Sequence, residues 1–112
     1  MSNNALDKKY DLSYSAFISM KYFDWDEEKN KKLKEERDVG FEDVINAIDS
    51  GYLLDVKKHH NQQKHPFQQI FIVNINNYAY IVPFVEDEEK YFLKTIIPSR
   101  KATKKYLVHS PQ

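Results

Sequence analysis

The side chains able to do chemistry gather in the second half of the chain. His59, His60 and His65 lie in a polar stretch from Lys57 to Pro66, and histidine readily accepts and returns a proton near neutral pH. Lys94 follows in a strand-like run, and Arg100, Lys101, Lys104 and Lys105 crowd a basic close. Such cations, held in place, can stabilise negative charge as it develops. Arg100 is the most pointed of them. It stands directly after Ser99, a good helix N-cap, where the positive end of the helix disfavours a cation, so stability alone would not choose it. Lys101, Lys104 and Lys105 recur at i, i+3 and i+4 and share one side of a helix. That spacing can follow a phosphate backbone, and it also suits an ordinary solvated face. Lys94, placed between Phe92 and Ile96 in a two-residue period, is either functional or a lysine snorkelling at a sheet edge.

Other chemistries are poorly served. With no cysteine there is no thiolate nucleophile, disulfide framework or thiolate metal site. The three loop histidines fit no helical or turn-based ligand pair, so neither a metal nor another cofactor is expected. There is no Gly-rich phosphate loop and no paired-carboxylate motif. The formal net charge is zero, but residues 1–56 carry 8 basic and 13 acidic side chains, and residues 57–112 carry 9 and 4. That asymmetry fits a basic working face for a polyanion, or for an acidic protein that docks there.

These residues must be carried by a scaffold, and the apolar stretch from Phe67 to Ile97 supplies it. Three runs rich in Ile, Val, Phe and Tyr (Phe67–Ile75, Tyr78–Val85 and Tyr91–Ile97) predict an antiparallel meander. Asn76-Asn77 serves as a tight hairpin between the first two, and the acidic run Glu86–Glu89 as a solvated turn between the next two. Pro83 predicts that the second run is locally an edge or bulged. Upstream, Lys21-Tyr22-Phe23 reads as a short strand. Asp24 with Glu27 gives a capping-box pattern for a surface helix from Asp26 to about Arg37, whose thin apolar stripe is Trp25 and Leu33. Phe41, Val44, Ile45 and Ile48 predict a better-buried helix over Phe41–Asp49, closed by Ser50-Gly51. Tyr52–Val56 reads as a strand, and Arg100–Val108 as a last helix behind Ser99. The expected organisation is one domain at residues 20–108, with an N-terminal extension (1–19) and a short tail (109–112). No apolar run approaches a membrane span and no secretory leader is evident, so a cytoplasmic home is the expectation.

Several of these segments resemble one family. Phe23-Asp24-Trp25-Asp26 with Lys29 is similar to the F-x-W-D-x-x-K opening of BrnT-type toxins, and Phe41-Glu42 before an apolar helix to their V-x-F-E segment. The close, Ile96-Ile97-Pro98-Ser99-Arg100-Lys101-Ala102-Thr103, resembles their I-I-S-A-R-x-A-T ending. The resemblance implies an α+β, RelE-like fold: two N-terminal helices, an antiparallel meander and a C-terminal helix. It implies the toxin of a type II toxin–antitoxin pair, a metal-independent ribonuclease. Its partner would be a cognate antitoxin that contacts operator DNA, so that the toxin meets that DNA only indirectly; no membrane is involved. Where the family has K-H-G this chain has Glu36-Arg37-Asp38, leaving Lys34 and Arg37 as the nearest basic residues. Gln69 stands where the family often has an arginine.

Metal-free RNA cleavage needs a 2′-hydroxyl deprotonated, the phosphorane charge stabilised and the leaving 5′-oxygen protonated. Lys94, Arg100 and His60 (or its neighbour His59) are the catalytic candidates. Lys34, Arg37, Lys101, Lys104 and Lys105 are the RNA-binding ones. Two other readings stay open: a binding module that pairs with an antitoxin or RNA without cutting, and a small structural protein.

Overall fold

The computed structural model describes residues 21–58, 61, 63, 64 and 68–108. The expected extension, the tail and the loop histidines His59, His60 and His65 lie outside the described residues. Those described form an α+β protein of three helices and six strands. In chain order they are β1 (Tyr22–Asp24), α1 (Glu27–Arg37), α2 (Phe41–Asp49), β2 (Leu53–Lys58), β3 (Gln68–Ile75), β4 (Tyr78–Glu86), β5 (Lys90–Leu93), β6 (Ile97–Pro98) and α3 (Arg100–Tyr106). One sheet runs in the order β1-β5-β4-β3-β2, with β6 also on β4.

The sheet is mixed, which corrects the purely antiparallel expectation. β2, β3, β4 and β5 pair antiparallel, while β1 lies parallel to β5 through Phe23↔Tyr91. A strand therefore precedes the helices, and α1 and α2 form part of the crossover that a parallel pairing requires. The β3–β4 hairpin turns at Asn76 and Asn77, both left-handed (φ 55° and 64°), and the Asn74 carboxamide accepts the Asn77 N–H at 2.9 Å. Asparagine tolerates that conformation better than most residues.

Pro83 does not mark an edge, because β4 is an interior strand. Its carbonyl accepts the Lys94 N–H at 2.8 Å. In an antiparallel strand a residue's N–H and C=O face the same neighbour, so the proline's missing donor faces the Lys94–Ile96 segment. There the expected run Tyr91–Ile97 divides into β5 and β6. The break also turns Ile96 to the face opposite Lys94 and Phe92, where it is fully buried.

The α1 N-cap is Asp26, whose carboxylate accepts the Glu28 N–H, and not Asp24. Asp24 instead accepts the Trp25 N–H and the Lys90 ammonium. Asp38 closes α1 in the left-handed region, and Gly51 (φ 87°) follows α2. α3 ends at Tyr106, two residues short of expectation, with Leu107 as its C-cap.

The two faces of the sheet carry different layers. Leu33 of α1 and Phe41, Val44 and Ala47 of α2 pack on Phe71, Val73, Val82, Phe84, Tyr91, Leu93 and Ile96. Trp25 stacks on Phe41, its ring 5.6 Å away, which makes it part of this layer. The opposite face holds a smaller cluster, where Ala102 of α3 meets Ile72 and Ala79, bordered by Leu54, Ile70, Tyr106 and Leu107. Sequence reading passed over Asn30, the one buried polar residue among the described core. Its carboxamide oxygen accepts the Phe41 N–H at 2.8 Å, and its nitrogen donates to both Glu42 carboxylate oxygens at 3.1 Å. One side chain thus caps α2 and ties it to α1.

Candidate nucleic-acid interface

α3 starts from β6 at the β4 side of the sheet and crosses β3 to β2, pinned at both ends. Ser99 caps it by accepting the Ala102 N–H, and the Thr103 hydroxyl accepts the Ala79 N–H at 2.9 Å. At the far end the Tyr106 hydroxyl donates to Asp55 on β2 at 2.5 Å. That contact holds the Asp55 carboxyl below its ordinary range and pushes the Tyr106 phenol up. Ala102 and Tyr106 lie against the sheet, and Thr103 turns to the hairpin end. A step of roughly 100° per residue therefore swings Lys101 and Lys105 to the other flank, beside the half of the sheet that α3 leaves uncovered.

That half is ordered by register. One row runs Lys57–Ile70–Pro83, with Lys94 beyond it across the Lys94–Pro83 hydrogen bond. The next runs Gln68–Val85–Phe92–Asp24. Side chains opposite one another in register share a face, so Ile70, Pro83, Val85 and Phe92 form a half-buried apolar strip. Lys57 and Lys94 border it, with Lys90 beyond Phe92. The ammonium groups of Lys90 and Lys94 lie 5.8 and 5.9 Å from the centre of the Phe92 ring. Lys90 is held by Asp24 at 3.0 Å, which lowers the Asp24 pKa and raises that of Lys90. Lys94, Arg100, Lys101, Lys104 and Lys105 are all exposed.

The layers are also sorted by charge. α3 carries four cations and no acid, whereas residues 26–49 on the other face carry nine acidic and five basic side chains. The structure thus brings together Lys94, Arg100, Lys101, Lys104 and Lys105, and it adds Lys57 and Lys90, which sequence reading left out. Lys90 and Lys94 do share the two-residue period with Phe92, and that was the available signal.

Lys34 and Arg37 are not part of this assembly. Lys34 pairs with Glu42 at 3.2 Å on the acidic side. Arg37 donates to the Ile96 carbonyl and so braces α1 against the break between β5 and β6. Gln69 lies on the core-side face, donating to Glu86, which also receives the Lys21 ammonium.

No family model, curated protein or solved structure matches the chain. Fold and site together define an α+β protein whose mixed sheet separates an acidic helical layer from a basic face with an apolar strip.

Proposed function

We propose that this chain is a metal-independent endoribonuclease, the toxin of a type II toxin–antitoxin pair with a RelE-like arrangement, and that it binds RNA on the basic face. The observation that carries the reading is the gathering of Lys94, Arg100, Lys101, Lys104 and Lys105 on the side of the sheet away from the acidic helices. α3 carries four cations and no acid, and the nearby carboxylates Asp24 and Asp55 are held by Lys90 and Tyr106, a charge pattern that matches a phosphate backbone. The sequence resemblance supplies the chemistry. Lys94 and Arg100 stabilise the charge on the phosphorane as the 2′-oxygen attacks, and His60 serves the proton transfers that release the 5′-oxygen. A cognate antitoxin covers the face and silences it, contacting operator DNA itself.

The direct test is cleavage of single-stranded RNA by the purified chain in EDTA, beside Arg100→Ala and Lys94→Ala. Cleavage that persists in chelator and falls at least a hundredfold in either variant is the expected result. A second reading, binding without cleavage, draws on one observation: Asp24 and Asp55, the carboxylates on this face, are already engaged by Lys90 and Tyr106. Tight binding with intact RNA would establish that reading.

A further inference from the structure

We infer that Phe92 is a stacking platform for one unpaired base of single-stranded RNA, with Lys94 and Lys101 taking the flanking phosphates. The inference rests on the proposed reading of this face as an RNA site. It adds where a base, as distinct from the backbone, is held.

Phe92 belongs to neither apolar cluster of the fold. It sits half-buried on the outward face of β5, fixed by its register with Val85 and Asp24, so packing in the described core does not account for an aromatic ring there. Its two ammonium neighbours differ in freedom. The Asp24 carboxylate ties Lys90 down, whereas Lys94 has no carboxylate partner among the described residues. Lys94 can therefore leave the ring for a phosphate when a base arrives. An exposed cation–π contact is weaker than the stacking of a base on an aromatic side chain, so the exchange favours the base. Phosphates on either side of that base then meet Lys94 and, toward α3, Lys101. A duplex keeps its bases stacked on one another and has no free face to offer, so the platform selects single strands.

The test uses the full chain and a short labelled single-stranded 2′-O-methyl RNA, which lacks the nucleophilic hydroxyl and is not cut. Phe92→Leu keeps an apolar side chain and removes the ring. It is expected to weaken binding by about 5- to 150-fold, with the salt dependence unchanged. The double variant Lys101→Ala/Lys105→Ala is expected to reduce the slope of log affinity against log salt by about 1.4, roughly 0.7 per lost phosphate contact. Phe92→Trp retains binding, and its added fluorescence, measured against the Trp25 signal of the parent, is quenched by the RNA. If Phe92→Leu binds like the parent while the lysine variant is weakened, the platform is refuted and the RNA face stands. If the parent binds no RNA, the reading of the face fails, and the platform with it. Should Phe92→Leu not fold, the tryptophan variant decides: saturation without quenching refutes the platform.

Discussion

Removing the Asn30 carboxamide should uncouple the two helices on the acidic side of the sheet. Asn30 is 1% exposed, and Phe41, whose N–H it receives, is fully buried. In Asn30→Ala that N–H loses its acceptor in a place water does not reach, at a cost of about 1–3 kcal/mol. Glu42 loses less, because it keeps Lys34 at 3.2 Å and half its side chain is exposed to water. With the small void added, the expected loss is about 2–3 kcal/mol. For a domain of this size that lowers Tm by about 10–20 °C. Urea unfolding should show a lower midpoint at an unchanged slope. Asn30→Asp separates the two halves of the contact. It keeps an acceptor for Phe41 but sets a carboxylate against Glu42, so its deficit should be largest at neutral pH and shrink on acidification. In the parent, the Asn30 hydrogen bond is the main cause that holds the Glu42 carboxyl low. That stabilisation is present above the ordinary carboxylate range and is lost as pH falls through the depressed value. An Asn30→Ala protein within about 0.5 kcal/mol of the parent would refute the reasoning.

Other outcomes follow from the same geometry. A methyl group at Gly40 would lie 2.6 Å from Lys34 Cε and 2.9 Å from both Asn30 Oδ1 and Glu42 Oε1. Gly40→Ala should therefore destabilise through the same joint, and its effect combined with Asn30→Ala should be less than additive in urea melts. The Tyr106–Asp55 contact should give α3 a stability plateau with two limbs. It weakens in acid as pH falls through the depressed Asp55 value, and again in alkali as pH rises through the elevated Tyr106 value. Tyr106→Phe should lower Tm at pH 7 and lose that difference in acid. Arg37→Ala should cost about 1 kcal/mol in urea unfolding by releasing the Ile96 carbonyl. It should leave the salt dependence of RNA binding unchanged, whereas a lost slope would make Arg37 a phosphate contact.

The parts of this fold that were legible in the sequence are those set by local rules. Asn76-Asn77 specified a hairpin because few residues accept two successive left-handed positions. Phe41–Asp49 and the Ser99 cap followed from period and hydrogen-bonding chemistry. What was hidden depends on neighbours distant in the chain. Pro83 divides the β5–β6 run from across a strand boundary, and nothing within Tyr91–Ile97 announces it. Asp24 looks like a cap until Lys90, which only the parallel pairing brings near, claims it. Asn30 reads as a surface residue because its value lies in a backbone N–H on the next helix.

The candidate site divides in the same way. Lys94 and the α3 cations were visible as a basic run, and one short break and one helix carry them to a single face. Lys34 and Arg37 looked equivalent by charge, but their helix packs on the other side of the sheet, which no local pattern encodes. Lys57 was taken for loop and Lys90 drew no attention; register places Lys90 beside Phe92 and Lys57 at the opposite, β2 end of the apolar strip.

The most direct test of the central claim is inducible expression of the chain in a bacterial host, scoring growth and RNA integrity beside Arg100→Ala and Lys94→Ala. The account predicts growth arrest with fragmented RNA, relieved by either substitution. Continued growth and intact RNA from well-expressed, folded parent protein would contradict it.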